Sequence, residues 1–211
     1  MPKVPPVTNP LPDPITTTWP ANSPIIRCYD NEYGSTEFNP TAAEARFRPI
    51  YDSGTIVPTM YGADLDDGTL SETVFHSVPV KPSKAKRIRE ASLIPKLLTS
   101  VSCKHDLKLI KLTGTGLGRI GVTHAQLIES SAKQYPATAL WAQALYDAVP
   151  DAHGMVWRSR QNNDAKAVVI WGTRVARTNL ASTDPPLALA HGKGLDRVRE
   201  IALQLQITLV S

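Results

Sequence analysis

Apolar and polar positions change period several times along the chain, and each change marks an element. PIIRCYD at 24–30 is apolar-rich and reads as a short strand that opens the fold. The pattern is lost over 31–54, where Gly34, Pro40 and Gly54 punctuate a loop. TIVPTMYGA at 55–63 is strand-like again, broken or edged by Pro58. Over 64–78, Leu70, Val74 and Val78 recur every four residues, which predicts a helix. Asp66 and Asp67 sit where negative charge favours its start, and Glu72 falls off its apolar stripe.

DLKLIKLTG at 106–114 predicts a strand with Leu107 and Leu109 on one face and Lys108 on the other. Thr123 and Gln126 have capping-box spacing at the head of 123–131. The strongest helix signal is 135–150. Pro136 suits its first turn, Pro150 stops it, and Leu140, Ala144 and Ala148 share a face. A turn and short strand follow at 153–157, then a strand at 165–172, a helix at 194–206 and a last strand at 207–211. Strands and helices mix without strict alternation, so the fold class is α+β.

Composition changes the picture at the N-terminus. Eight of the 18 prolines lie in the first 24 residues. Proline fixes φ and lacks a donor, so 1–24 is expected to be an extended or disordered arm, with one domain over 25–211. No apolar run approaches the ~20 residues of a membrane span, and no basic patch precedes an apolar stretch as in a secretory signal. Cys28 and Cys103 lie far apart in sequence and fit two unpaired thiols of a cytoplasmic protein. The five histidines and two cysteines have no metal-ligand spacing, so no metal is expected.

The net charge of +4 is unevenly spread. Residues 1–80 hold 4 basic and 10 acidic side chains, whereas 81–111 hold 9 and 2. The basic middle reads as a solvated surface, or as a docking face around Lys84, Lys86 and Arg87 for an acidic partner. Aromatic residues are not interleaved with it and no nucleic-acid-binding motif accompanies it, so no direct nucleic-acid contact is expected.

GTGLGRIG at 114–121 has the glycine spacing of a dinucleotide fingerprint. The next helix signal begins only at Thr123 and no second βα unit follows, so it reads as a glycine-rich connection. Ser159 in WRSRQ lacks a nucleophile elbow and reads as a structural hydrogen-bonding serine. His76 reads as a surface or core histidine rather than a base, and Tyr61 as core. Arg27, between Ile26 and Cys28, carries a physical demand: a guanidinium on a core strand requires an anionic partner.

In order, IIRCYD, ARFRP, PTMYGA, LSETVF and HGMVWRSR resemble the RES domain, the toxin family of RES–Xre toxin–antitoxin modules. Arg27 matches the early arginine, Arg46 the GRFNP-like loop, Tyr61 the T-x-Y-x-A strand, Glu72 the glutamate helix and Ser159 the late serine. The resemblance covers roughly 25–175; Ala45 and Arg48 stand where the loop motif has glycine and asparagine. It implies a single mixed domain like the ADP-ribosyltransferase fold. It also implies an enzyme that consumes NAD+ as substrate, with no permanently bound cofactor. The nicotinamide–ribose bond would be cleaved by hydrolysis or phosphorolysis, with inorganic phosphate a possible second substrate.

On that basis Glu72 is the group that stabilises the oxocarbenium-like ribose. Arg27 and Arg46 bind phosphate, Tyr61 stacks on nicotinamide, and Ser159 holds substrate or Glu72. An Xre-like antitoxin is the implied partner, with a homo-oligomer possible inside that complex. Two alternatives remain: transfer of ADP-ribose to a specific protein target, and a non-enzymatic module whose basic stretch grips nucleic acid while Arg27 and Glu72 pair in the core.

Overall fold

The computed structural model describes residues 2–76, 78 and 86–211. Its strands are β1 (Thr16–Trp19), β2 (Ile25–Asp30), β3 (Tyr51–Asp52), β4 (Thr55–Ile56), β5 (Thr59–Ala63), β6 (Arg87–Arg89), β7 (Lys96–Cys103), β8 (Leu107–Leu112), β9 (Gly154–Arg158), β10 (Lys166–Trp171), β11 (Leu180–Ser182), β12 (Leu187–Ala188) and β13 (Thr208–Val210). Its helices are α1 (Asp66–Glu72), α2 (Thr115–Arg119), α3 (His124–Leu127), α4 (Tyr135–Ala148) and α5 (Gly192–Gln204). The main sheet runs β1-β8-β9-β10-β5-β2-β7-β11, with β12 also on β7. Among the described residues only its β8–β9 pair is parallel. The mixed pairing confirms an α+β domain.

Alternation assigns the strands to two faces. In β8, Leu107 and Leu109 join one core with Val156, Val168 and Ile170. Ile110 and Leu112 join the other with Trp157, Val169, Trp171 and the inner side of α4. A third cluster lies under α1 and α5, around Leu70, Phe75, Val198 and Ile201. Pro58 separates β4 from β5, as a residue without a donor should.

The arm is extended but is not separate from the fold. β1 pairs along β8, from Thr16 opposite Ile110 to Trp19 opposite Leu107. Upstream, Val4 is buried, and the Trp141 indole N–H donates to the Pro5 carbonyl at 2.8 Å. The boundary expected at Ile25 therefore does not divide the packing. Prolines bar a central strand, but an edge strand needs donors on one side only.

Four other expectations change. The helix over 64–78 is only seven residues long. The Thr73 hydroxyl turns back to the Thr69 carbonyl at 2.7 Å, and the Phe75 N–H reaches Leu70, which buries Phe75 in place of Val74. The face of Leu140, Ala144 and Ala148 is the outer face of α4: Leu140 is 66% exposed, because Trp141 and Leu145 fill the core. A helix does follow β8 directly, since α2 starts inside the glycine run. Gly116 allows it, because a Cβ there would collide with the Lys111 carbonyl. Finally, the basic segment is not all surface. It contains β7, a strand between β2 and the β11/β12 edge, whose Leu98, Val101 and Cys103 are buried. Lys84 lies outside the described residues, Lys86 donates to the Leu205 carbonyl, and Arg87 is exposed on β6.

Candidate active site

Helix α1 carries Glu72 at its C-terminal end, and three contacts fix the helix. Gly68 lies where a Cβ would collide with Ala165, so the helix packs directly on the approach to β10. The Thr69 hydroxyl donates to the Ile26 carbonyl at 2.7 Å, tying α1 to β2. At the first turn, Arg197 of α5 donates from Nε and Nη2 to the two Asp66 oxygens at 2.6 and 2.7 Å. That pair holds the Asp66 carboxyl below the usual carboxylate range.

The Glu72 carboxylate is oriented from behind. The Ser159 hydroxyl donates to Oε1 at 2.7 Å, and the Arg160 N–H donates to the same oxygen at 2.8 Å. Arg46 Nη1 pairs with Oε2 at 3.3 Å. A carboxylate at a helix C-terminus faces the negative end of the dipole, so these donors offset an unfavourable field.

Arg46 is delivered by a tight turn. Phe47 occupies the left-handed region (φ 73°), is fully buried and packs edge-on against Trp157 at 5.1 Å. Arg46 and Arg48 flank that anchor, and the Tyr61 hydroxyl donates to the Arg46 carbonyl at 2.5 Å. Tyr61 also meets Trp157 edge-on, and burial pushes its phenol pKa up. It thus supports the turn as well as lining the cleft, beyond the core role expected of it.

Among the described residues Arg27 has no carboxylate partner in a salt bridge. Its Nη1 donates to the Ser35 and Glu37 carbonyls, each at 2.8 Å, and its guanidinium lies over the Tyr29 ring at 4.7 Å. Burial lowers its pKa to about 10, so it remains a cation at neutral pH. The expected anionic partner is replaced by carbonyl dipoles and an aromatic face. Arg27 and Glu72 do not pair, which removes the contact on which the non-enzymatic alternative relied.

Arg27, Arg46, Tyr61 and Glu72 all line one cleft of about 400 Å³, within the range of small-molecule sites. Ser159 is fully buried behind Glu72 and outside the lining, so of its two expected roles the structure provides the contact to Glu72. The sequence reading missed Arg48, Tyr29, Tyr135 and His76, which share the lining. Arg48 stood inside a motif already in view. Tyr135 gave no signal, because its placement depends on where α4 begins. Arg27 Nε, Arg46 Nε and Nη2, and Arg48 Nε are buried without a hydrogen-bond partner among the described residues. Buried guanidinium N–H groups left without a partner are costly, and these three arginines all line the one cleft.

The fold and the site together define an α+β domain with a cationic cleft built around one fixed carboxylate. The model of the RES domain matches residues 24–190, and the chain belongs to that family. The fold is similar to that in the crystal structure of the M. tuberculosis MbcT–MbcA toxin–antitoxin complex. The TM-score is 0.57 at 16% identity, over 83% of this chain and 88% of that one. No curated protein sequence matches the chain.

Proposed function

We propose that this protein is the toxin of a toxin–antitoxin pair and cleaves the nicotinamide–ribose bond of NAD+. The observation that carries the reading is Glu72, fixed by Ser159, Arg160 and Arg46 beside guanidiniums whose N–H groups lack partners. Nicotinamide leaves as a neutral molecule from a cationic precursor, so departure needs no general acid. Positive charge develops on the ribose, and the Glu72 carboxylate stabilises it. Arg27, Arg46 and Arg48 neutralise the pyrophosphate and hold the dinucleotide in the cleft. Tyr61 and Trp157 supply the aromatic wall for the nicotinamide end. NAD+ is substrate in this scheme, and an antitoxin protein keeps the cleft closed in the producing cell.

The test incubates the purified protein, free of antitoxin, with NAD+ in the presence and absence of phosphate. Nicotinamide release is expected, with Glu72→Gln lowering it at least 10²-fold and relieving growth arrest in cells. ADP-ribose, ADP-ribose phosphate or a labelled protein identifies the acceptor as water, phosphate or a side chain. NAD+ left intact by the wild-type protein overturns the reading.

A further inference from the structure

His76 lies four residues beyond Glu72, after α1 has ended, and lines the same cleft. Its Nε2 is 2.8 Å from the Tyr135 hydroxyl at the head of α4. Its backbone is held by the same turn that holds the Glu72 carboxylate. The Gln161 side-chain amide donates to the Phe75 and His76 carbonyls at 3.1 and 2.8 Å, while Ser159 and Arg160 grip Glu72. One three-residue turn therefore sets the spacing between a carboxylate and an imidazole in one cleft. A histidine serving only the core needs neither the cleft nor a shared scaffold.

We propose that His76 is the general base that takes the proton from the acceptor nucleophile, with Tyr135 holding its ring as a positioning residue. This rests on the NAD+-cleaving reading above. With Nε2–H donated to the Tyr135 oxygen, Nδ1 carries the free electron pair. In hydrolysis, the bond between ribose C1′ and the nicotinamide nitrogen breaks and its electron pair leaves with nicotinamide. A C1′–O bond forms to water, and the water proton moves to Nδ1 and then to solvent. Glu72 acts on the ribose cation and His76 on the incoming oxygen, so the two groups divide the work.

The charges around the ring suit a base. Arg46 from the loop before β3 and Arg160 from the turn after β9 oppose protonation. Glu72 from α1 favours it, and Tyr135 faces the ring from α4. Burial, the largest influence, lowers the imidazole pKa below its ordinary value, which leaves the ring neutral at physiological pH.

The experiment compares wild type, His76→Gln and Tyr135→Phe by nicotinamide release from pH 5 to 9, with and without sodium azide. Azide is an anionic nucleophile that has no proton to lose. His76→Gln is expected to lower kcat on the order of 10²-fold, with little change in KM and loss of the acid limb of the pH profile. Azide should restore turnover in that variant and yield ADP-ribosyl azide. Tyr135→Phe is expected to lower kcat by a smaller factor and to move the acid limb. Unchanged kcat in His76→Gln overturns the proposal. So does a loss that azide fails to restore in a variant whose thermal midpoint matches wild type. If His76→Gln does not fold, Tyr135→Phe decides: an unaltered rate and pH profile overturn the assignment. A wild-type protein inert toward NAD+ overturns the parent reading and this one together, whereas an active wild type with an equally active His76→Gln overturns this one alone.

Discussion

Replacing Ser159 by alanine separates a positioning serine from one that touches substrate. The hydroxyl is fully buried, donates to Glu72 Oε1 at 2.7 Å and accepts the Gln161 and Asn162 N–H groups at 3.3 Å each. A hydrogen bond to a charged group contributes about 1.5–3 kcal/mol. Glu72 keeps the Arg160 N–H and the Arg46 guanidinium in the variant, so the lower part of that range applies. A restraint of about 1.5–2 kcal/mol corresponds to roughly a 10–30-fold smaller population of correctly oriented carboxylate, and kcat should fall by that factor. Because the same bond stabilises the fold, the thermal midpoint should fall by about 3–8 °C for a chain of this size. KM for NAD+ should change little. Nicotinamide release and a thermal melt on the same preparation check both. A loss as deep as that of Glu72→Gln with an unaltered melt would refute the argument, because Ser159 would then act on substrate and not through Glu72.

Two further outcomes follow from the same geometry. Arg27→Met removes a buried cation held by carbonyls, so lost hydrogen bonds and recovered desolvation nearly cancel. The thermal midpoint should move by less than about 4 °C while KM for NAD+ rises about tenfold or more, as steady-state kinetics would record. Asp66→Asn tests the clasp between α1 and α5. The folded-state pKa of Asp66 is depressed by Arg197, so its stabilisation is present above the unfolded value of 3.8 and lost as pH falls through the folded value. The pair is about one-third exposed, so unfolding free energies from urea titration should differ from wild type by about 1 kcal/mol at pH 7. The difference should vanish in acid below the folded pKa, and an equal difference at both ends would exclude the ion pair as its source.

The elements legible in the sequence are those whose burial follows one period. β2, β8, β10 and α4 were placed by alternation or by proline at their ends. β7 was hidden because Thr99, Ser100 and Ser102 interrupt its apolar residues inside a lysine-rich stretch. Its burial comes from β2 and β11 on either side, which no local pattern encodes. Glu72, Arg27, Arg46 and Tyr61 were legible because ordered motifs carry them. The separate partners of Arg27 and Glu72 were not, since only the folded turn at 46–48 brings a second guanidinium to the carboxylate. His76 looked ordinary for the same reason: Tyr135, 59 residues further on, gives it a context.

The arm has a consequence for the order in which the molecule is completed. Pro2 and Pro5 bond to side chains 132 and 136 residues downstream, and β1 pairs with residues some ninety positions away. During synthesis this segment emerges long before anything it can dock on, and contacts of such separation form late. A waiting strand is ordinarily a template for pairing with a neighbouring chain, and Pro14 and Pro20 on either side of β1 keep any such ladder short. The prolines that suggested an extended or disordered arm thus limit what the waiting strand offers a neighbouring chain. They leave Thr16–Trp19 as the short stretch that β8, made some ninety residues later, receives.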